Sequence, residues 1–520
     1  MKILTAHQMR NIDRRAISRF QVPGIVLMEN AGRAVVEHLL DVVEEMDHPE
    51  IAVVCGKGNN GGDGLVAARH LHDLELTPVV FLIASEDDLE GDAATNRRIV
   101  ERLPIPMKTI PEAQWRNATG DVNPLLSFDI IVDALLGTGL KGRVRGNFQA
   151  IVEDINDAGA YVVSVDIPSG LSGGRSRVVG PAVRADATVT FVAPKIPHLF
   201  PPAEELCGDL IVAEIGVPAE AVAAERVKLE LLDEDRIAGR LMPRADDSHK
   251  GSYGHVLIIG GSIGKAGAVR LATEAVLMAG AGLVTAAVPR SVRAEAAGFA
   301  PAMTHPLAES GSGEISRRAI NPLRKLMADK AVVAIGVGAG RGKEIQATLR
   351  SLVTSARMPV VVDADGLNAF EGRDDALSGA RRPLVLTPHP GEMARLAGIP
   401  TADVQADRVE VCRRFARTHS CHVVLKGYRT LVGTPEGRVF VNPTGNPGLA
   451  TAGSGDVLTG LLAGLIATGV PVLDAVLVGV YAHGWAGDRG AEATGLSALT
   501  ARTLLDALPQ ALHEIEELEP

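Results

Sequence analysis

Glycine, asparagine and aspartate are concentrated in one short segment near residue 60, directly after an apolar run. IAVVC at residues 51–55 has the character of a buried strand, GKGNNGGDG follows at residues 56–64, and a helical pattern comes next. Glycines permit close backbone approach, and a helix start presents amide groups to an anion. A purely structural turn would account for the glycines but not for the embedded polar side chains. The segment therefore predicts a phosphate-binding site.

Two later strand ends carry a similar signal. Asp133 lies in the run IIVDA and is followed by a glycine loop at residues 137–142, while Asp166 precedes the Pro-Ser-Gly of residues 168–170. In an open parallel sheet the carboxyl ends of the strands line one crevice, so we expect these loops to converge with the first. Each aspartate alone is more typical of a helix cap or a turn. Three such strand ends in one domain favour a functional site.

A second candidate site lies in the C-terminal half. Gly453-Ser454-Gly455-Asp456 precedes an apolar helical pattern. Successive amides at a helix start form an anion hole, and an aspartate in the first turn can reach a hydroxyl group held there. An ordinary stabilising aspartate at the helix start is the alternative, and the motif alone would favour it. The glycine-containing loop of residues 446–452 shifts the balance toward a ligand site.

Length and composition indicate what kind of protein positions these residues. A chain of 520 residues exceeds one hydrophobic core, so two domains are expected. Only 3% of the residues are aromatic, which suits aliphatic parallel sheets covered by helices. A net charge of −11 without a basic run argues against nucleic acid or an anionic membrane as a partner.

Cysteine usage and apolar runs bear on the compartment. The four cysteines form no CxxC pair, so reduced thiols in a cytoplasmic protein are expected. No leader-like pattern opens the chain, and a capping box at Thr5 instead begins a helix with Met9, Ile12 and Ala16 on one face. The apolar runs of residues 276–288 and 457–470 are too short to span a bilayer and indicate buried elements.

Short β-branched runs alternate with helical patterns in two series, which predicts βαβ units and an α/β fold in each half. The first series comprises residues 51–55, 79–83, 130–134, 162–166, 187–192 and 210–213. The second comprises residues 254–260, 283–288, 332–336, 360–363, 384–386, 423–425, 429–432 and 438–441. Between them, residues 218–248 are charged and are predicted to be strandless. We place the domain boundary there, near residue 225, with a linker at residues 219–227.

Residues 1–218 resemble the NAD(P)HX epimerase family through MENAGRAV, GKGNNGGDG, VDALLGTGL, VDIPSG and VRADATVTFVAPK. The resemblance implies a Rossmann-like three-layer domain with a mainly parallel sheet. It also implies that this domain interconverts the two epimers of a nicotinamide cofactor hydrated on its ring. Asp166 would act on the ring hydroxyl as acid and then as base. The turn of residues 172–175 lacks the acidic residues usual in the family, which we expect to alter only the shape of that loop.

The epimerase resemblance also assigns ligand contacts. A potassium ion would be held by Asn60, Asp133 and Ser169, whose hard oxygen donors suit an alkali cation. The hydrated cofactor would be contacted by Asn59, Asn60, Gly61, Gly62, Asp63, Gly137, Thr138, Gly139, Leu140, Lys141, Gly142, Arg143 and Asp166.

Residues 228–515 resemble the ribokinase-like fold and, within it, the ADP/ATP-dependent NAD(P)HX dehydratases. The matching blocks are DSHKGSYGHVLIIGGS, AGAVRLA, AGAGLVT, VVDADGLN, LTPHPGEMARL, VVLKGYRT and TAGSGDVLTG. The resemblance implies contact of the substrate with Ala268, Gly340, His389 and Asp456. It implies contact of the adenine nucleotide with Lys426, Gly427, Tyr428, Arg429, Thr430 and Gly455. On residue type alone, His389 would be a turn histidine and Lys426 a solvated strand end. The loop of residues 336–340 departs from the family pattern, which weakens the assignment of Gly340.

Together the resemblances imply repair of hydrated NADH and NADPH. Asp456 would deprotonate the ring hydroxyl for attack on ADP or ATP, with magnesium at the phosphates, and loss of phosphate would restore the double bond. One alternative is a small-molecule kinase of the hydroxymethylpyrimidine or sugar type, and another makes the N-terminal domain a non-catalytic nucleotide sensor. Homo-oligomerisation is an expectation at the level of the family.

Overall fold

The computed structural model describes residues 1–85, 88–119, 122–140, 142–297 and 301–519. The chain divides into two compact units, which are taken in turn below. The first unit is Lys2–Val227, and the second is Lys228–Pro520 together with Met1.

A single parallel sheet forms the centre of the first unit. Its strands are β1 (Ile51–Cys55), β2 (Pro78–Leu82), β3 (Met107–Thr109), β4 (Ile130–Ala134), β5 (Tyr161–Val165), β6 (Ala187–Phe191) and β7 (Asp209–Ala213). They lie in the order β3-β2-β1-β4-β5-β6-β7, and neighbouring strands are parallel throughout. The order reverses beside β1, so the loops after β1 and β4 flank a topological switch point, where ligands of such sheets bind.

Helices cover both faces of this sheet. They are α1 (Ala6–Ser18), α2 (Gly24–Val43), α3 (Asn59–Asp73), α4 (Gly91–Val100), α5 (Trp115–Thr119), α6 (Asn147–Asp157) and α7 (Ala219–Ala223). Successive residues of β1 point to opposite faces: Val53 packs in one core with Leu65 of α3, and Val54 packs in another with Ile151 of α6. Two cores on one sheet make a three-layer domain, as predicted.

The second unit is also α/β, with a larger, mixed sheet. Its strands are β8 (Leu229–Leu231), β9 (His255–Ile259), β10 (Leu283–Pro289), β11 (Met303–Leu307), β12 (Val332–Ile335), β13 (Val360–Val362), β14 (Leu384–Leu386), β15 (His422–Leu425), β16 (Leu431–Gly433) and β17 (Val439–Val441). The order is β11-β10-β9-β12-β13-β14-β15-β16-β17-β8. Strand β16 runs antiparallel to its two neighbours, and the other neighbouring strands in the described part of this sheet are parallel.

Helices also pack on the sheet of the second unit. The helices of this unit are α8 (Glu234–Ile237), α9 (Ala266–Met278), α10 (Arg293–Ala296), α11 (Ile320–Met327), α12 (Lys343–Ser355), α13 (Asp365–Asn368), α14 (Pro390–Ala397), α15 (Thr401–Ala406), α16 (Arg408–Thr418), α17 (Ser454–Ala467), α18 (Val472–Thr494) and α19 (Ala501–Glu516). Two of them near the C-terminus, α17 and α18, are long and apolar. Helix α17 is buried from Val457 to Ala467. It lies so close to α9 that a Cβ at Gly460 would overlap the carbonyl of Ala272.

This packing explains the apolar run of residues 457–470 as the interior of a domain. Among the residues that the structure describes, no helix combines the length and the apolar character needed to cross a membrane.

The predicted strands are present, with ends shifted by at most two residues, but the segment between the two series differs from its prediction. Residues 218–248 are not strandless, because Leu229–Leu231 form β8 against β17. Residues 219–227 include α7, and Ala221 and Val227 are buried in a core cluster with Ile12 of α1. A three-residue edge strand and a five-residue helix are too short to show periodicity within a charged stretch, so tertiary packing decides them.

Candidate functional sites

A cavity of about 720 Å³ lies at the switch point of the first unit; we call it the first cavity. The loop after β1, the start of α3, the loop after β4 and the residue after β5 contribute to its wall, as the topology predicts. Residues assigned to the substrate from the sequence that line it are Asn59, Asn60, Asp63, Gly137, Thr138, Gly139, Leu140 and Asp166.

Other residues of the predicted contact set lie behind this wall. A Cβ at Gly61 would overlap the carbonyl of Gly56, and a Cβ at Gly62 would press on Met28. These two glycines therefore let α3 start close to its neighbours. Gly142 and Arg143 are also absent from the described lining. Lys141, assigned to the substrate as well, lies outside the described residues.

The three residues assigned to potassium lie on adjoining loops. Ser169 donates its hydroxyl to Asp133 (2.6 Å), and its Oγ accepts from the Leu136 amide (2.8 Å). Asn60 lies against Gly137, whose added Cβ would be 3.2 Å from Asn60 Oδ1. Burial raises the pKa of Asp133, although donors from Ser169, Ser164 and Leu135 oppose this.

These residues fit a bound alkali cation. Asn60 can offer its amide oxygen to a cation, whereas its buried amide nitrogen, which has no hydrogen-bond partner within the described structure, cannot ligate one. The partners of the fully buried Asp133 carboxylate in that part of the chain are neutral donors, Ser164, Ser169 and the amide of Leu135. Neutral oxygens beside one buried carboxylate are a donor set for a hard cation of low charge.

Asp166, at the end of β5, is held by a buried lysine that the sequence did not single out. Lys195 Nζ donates to Asp166 Oδ1 (2.6 Å), to Thr190 Oγ1 (2.7 Å) and to the Phe191 carbonyl (3.0 Å). Burial alone would raise the pKa of Asp166, but the ammonium group brings it below its usual value. Asp166 also has a φ of +64°, a costly conformation for a residue other than glycine and one found preferentially at functional sites.

Two of the further carboxyl groups in the described lining of the first cavity have raised pKa values. Burial and the charge of Asp166 raise the pKa of Asp13, on α1, to about 6. Burial and the same charge raise the pKa of Asp63, in the first turns of α3, well above its usual value. The cavity therefore combines an ionised carboxylate at Asp166 with carboxyl groups that hold their protons more tightly.

The second unit contains a cavity of about 440 Å³ beside the start of α17; we call it the second cavity. It is lined by all the residues that the sequence assigned to the adenine nucleotide: Lys426, Gly427, Tyr428, Arg429, Thr430 and Gly455. Residues 442–447 complete the opposite wall together with His483. Gly453 begins α17 with a φ of +93°, a conformation that glycine adopts without strain. The start of α17 lies beside the lysine loop, since a Cβ at Gly455 would be 3.3 Å from Lys426 Nζ.

Asp456 lies in the first turn of α17, next to a buried charge network. Asp363, after β13, accepts from Lys426 Nζ (2.9 Å), from Thr459 (2.9 Å) and from Thr387 (2.8 Å). Burial and the negative charge of Asp363 raise the pKa of Asp456 to about 7, against the opposing effect of Lys426. A carboxyl group with a pKa near neutrality can accept a proton from a hydroxyl and release it again.

The remaining predicted substrate residues surround this network. His389 caps α14 through Nδ1, which accepts from the Gly391 amide (3.0 Å), while its side chain stays about half exposed and its Nε2 lies 3.5 Å from Glu392 Oε1. The cap role therefore leaves part of the ring accessible. Its neighbour Glu392 lies 3.9 Å from Lys426 Nζ. Gly340, with a φ of +93°, donates its amide to Asp365 (2.8 Å). The loop of residues 336–340, which differs from the family pattern, thus holds Asp365 through this hydrogen bond. A Cβ at Gly338 in the same loop would lie 3.1 Å from the Cβ of Ala268.

Several residues of these sites were not indicated by the sequence as functional. Lys195 closes the segment VRADATVTFVAPK, Asp363 lies in VVDADGLN and Glu392 in LTPHPGEMARL, so each belongs to a block quoted for the resemblance. Asp13 belongs to none of them. The sequence feature that could have pointed to Asp13 is an acidic residue within the amphipathic pattern of α1.

Comparisons with known proteins assign each unit. A family model described as NAD(P)H-hydrate dehydratase matches residues 256–510, and one described as YjeF-related protein N-terminus matches residues 24–196. A crystal structure of ADP/ATP-dependent NAD(P)H-hydrate dehydratase from Bacillus subtilis, co-crystallised with ATP and Mg²⁺, is 30% identical, with a TM-score of 0.47. It matches over 55% of this chain and 99% of that one. The α/β class predicted for both halves agrees with the two sheets and their covering helices.

Relatives match across both units. Proteins named bifunctional NAD(P)H-hydrate repair enzyme Nnr from Moorella thermoacetica and Escherichia coli are 44% and 32% identical to this chain. The first alignment covers 99% of this chain and 98% of the relative, and the second covers 98% and 93%. With such identity over nearly the whole length of each protein, the chain belongs to the family of bifunctional NAD(P)H-hydrate repair enzymes.

Proposed function

We propose that the chain repairs hydrated NADH and NADPH in two steps, one in each unit. The first unit interconverts the R and S epimers, and the second unit removes water from the S epimer at the expense of ADP or ATP. The observation that carries this proposal is that each unit has its own cavity with a perturbed carboxyl group at or beside it, Asp166 in one and Asp456 in the other. A single-step kinase would have no use for the first cavity.

Epimerisation requires the hydroxyl to leave a carbon that also carries the ring nitrogen. A carboxyl group protonates the departing oxygen, the nitrogen lone pair stabilises the ring, and water returns on the other face. Asp166 lines the cavity and is anchored through Oδ1 by Lys195, which orients the carboxylate for proton transfer at that carbon. Such proton transfer is expected to contribute ~10²–10⁴-fold.

Asn60, Asp133 and Ser169 are the residues that would hold potassium in the first unit. A bound cation would supply positive charge beside the loops that receive the cofactor phosphates. Asp133 and Ser169 tie the loop after β4 to the loop after β5 in any case, through their 2.6 Å hydrogen bond. These residues therefore orient the wall of the first cavity and do not act on the ring.

Dehydration requires a better leaving group than hydroxide. Asp456 takes the proton of the ring hydroxyl, whose oxygen then attacks the terminal phosphoryl group and releases AMP from ADP or ADP from ATP. Phosphate departs with the electrons of the carbon–oxygen bond, and the adjacent ring carbon loses a proton as the double bond forms. Lys426, paired with Asp363, would place a positive charge near the phosphates, and the start of α17 lies beside Lys426, where its free amides can bind an anion. Magnesium would neutralise phosphate charge during transfer.

Both steps can be followed by the absorbance of the reduced nicotinamide ring. We expect a mixture of R and S hydrated NADH to be converted completely to NADH when ADP or ATP is present, and not without nucleotide. A small-molecule kinase would instead accumulate a stable phosphorylated product and regenerate no NADH. Absence of NADH formation with either nucleotide would refute the proposal.

The compartment and assembly follow as parts of the same proposal. The four cysteines are unpaired and buried, as expected in a reducing compartment such as the cytoplasm. Homo-oligomerisation is proposed from the family alone and is tested by light scattering of the purified chain.

A further inference from the structure

Helix α1 presents one charged side chain to the first cavity. Met9, Asp13 and Ile17 follow one another at intervals of four residues, so they lie along one stripe of the helix, and all three line the cavity. Two members of the stripe are apolar. A carboxyl group between them, facing a ligand cavity, is not needed for packing.

The chain around Asp13 is held in place by contacts at several points. Upstream, the Leu4 amide donates to the Pro194 carbonyl (2.9 Å), next to Lys195. Arg10 reaches the carbonyl of Thr138 (3.4 Å), in the loop after β4 that lines the same cavity. Arg15 pairs with Glu225 (3.2 Å) on the other side of α1. Asp13 therefore has a defined position relative to both the Asp166 end of the cavity and the loop after β4.

The two carboxyl groups differ in their partners. Asp166 is anchored by Lys195 and Thr190, and both bonds end on Oδ1. Within the described part of the chain, no hydrogen bond or ion pair reaches the carboxyl group of Asp13, which is half-buried. The ionised form of Asp166 is thus stabilised by a hydrogen-bonded cation, whereas the ionised form of Asp13 has no bonded cation in the described structure.

We propose that Asp13 is the acid–base partner of Asp166 in epimerisation, with the two groups serving opposite faces of the hydrated ring. This proposal rests on the proposed function of the first unit. It assigns to two residues the two proton transfers that Asp166 alone would otherwise carry out. Asp13 donates its proton to the ring hydroxyl of one epimer. The carbon–oxygen bond breaks with both electrons on oxygen, water leaves, and the nitrogen lone pair forms a carbon–nitrogen double bond.

Return of water completes the exchange of configuration. Water adds to the same carbon from the other face, the nitrogen recovers its electron pair, and Asp166 accepts the proton released. The opposite conversion starts with Asp166 protonated and Asp13 ionised. Proton exchange with solvent restores either starting state, so no other reactant is consumed.

The charges around the cavity agree with this division. Burial and the negative charge of Asp166 raise the pKa of Asp13 to about 6, whereas the Lys195 ammonium holds the pKa of Asp166 below its usual value despite burial. Pairs of carboxyl groups with separated pKa values mark acid and base assignments. In the described lining of the cavity, the further charged groups are Asp63 of α3, Asp92 of α4 and Lys57 of the loop after β1.

The test uses the full chain and pure R epimer of hydrated NADH, with conversion to the S epimer resolved by chromatography and corrected for the spontaneous rate. We expect Asp13→Asn to lower kcat by ~10²–10⁴-fold with little change in KM, and Asp13→Glu to recover part of the loss. Wild-type activity should fall as the pH rises through about 6, and Asp13→Asn should lack this limb. Dehydration of pure S epimer by the same variants reports on the second unit.

Asp41→Asn, an exposed aspartate of α2, is the matched control and should epimerise like wild type. If Asp13→Asn retains more than a tenth of wild-type kcat, or keeps the alkaline limb, Asp13 has only a structural role and the inference is overturned. If Asp13→Asn loses the native circular dichroism, Asp13→Glu decides instead: its kcat must still fall as the pH rises, and a kcat without that limb overturns the inference. An inactive wild type would instead overturn the proposed function of the first unit.

Discussion

Asp456→Asn separates nucleotide binding from dehydration in the second unit. The amide keeps the size of the carboxyl group but cannot accept the hydroxyl proton, so we expect kcat for dehydration of S epimer to fall by ~10²–10⁴-fold. The second cavity is lined by residues other than Asp456, so the affinity for ADP or ATP should change little. Asp403→Asn, an exposed aspartate in the first turn of α15, is the matched control and should behave as wild type.

The pH dependence of the dehydration rate gives a second, numerical test of Asp456 as the base. Since Asp456 must be ionised to act as the base and burial raises its pKa to about 7, about half of the enzyme is competent at pH 7 and about a tenth at pH 6. Dehydration should therefore slow about fivefold over that interval and level off above about pH 8. Asp363→Asn removes a negative charge that raises this pKa and leaves Lys426 closer to neutralising Asp456, so the acid limb should move to lower pH.

The assay is the initial rate of NADH formation from pure S epimer at saturating nucleotide, with nucleotide affinity measured separately by calorimetry. A variant Asp456→Asn that retains more than a tenth of the wild-type rate would refute the assignment of Asp456 as base. So would a wild-type rate that is flat between pH 6 and pH 8, because the network around Asp363 would then not control the chemistry.

Three further predictions concern the first unit. Asp133→Ala should weaken cofactor binding and slow epimerisation while leaving dehydration of S epimer intact; a rubidium-soaked crystal without an anomalous peak between Asn60 and Asp133 would remove the cation from the proposal. Lys195→Met should destabilise the unit by about 3–5 kcal/mol in chemical denaturation, because it leaves Asp166 buried without its cation, and should move the acid limb of epimerisation to higher pH. Asp63 has a folded-state pKa well above its usual value, so its contribution to stability is present below about pH 4 and is lost as the pH rises. Asp63→Asn should therefore raise the thermal midpoint at pH 8, by roughly 2–4 °C for each kcal/mol recovered, and raise it less at pH 5; an equal effect at both pH values would contradict this account.

Local sequence predicted much of the architecture, because its signals act over a few residues. The β-branched runs and their glycine ends correspond to strands of both sheets, and GKGNNGGDG and GSGD both begin buried helices. The motifs were also sufficient to predict the family. In each case the chemistry of neighbouring residues, the positive φ of glycine or the alternation of a strand, restricts the backbone before any tertiary contact forms.

Elements without such a signal were decided by packing. Leu229–Leu231 becomes a strand only because β17 offers it an edge, and residues 219–227 fold back because Ala221 and Val227 complete the apolar cluster around α1. Neither segment is long enough for its own pattern to outweigh its charged surroundings.

The electrostatics of both sites came from the tertiary structure alone. Lys195 reaches Asp166 across 29 positions of sequence and Lys426 reaches Asp363 across 63, in both cases because parallel strands bring their ends to one edge of a sheet. Asp13 enters the first cavity from a helix that precedes the whole sheet. The sequence identified Asp166 and Asp456 as carboxyl groups at strand and helix ends. Which of them is ionised near neutral pH depends on burial and on the charge beside it, and both are properties of the assembled fold.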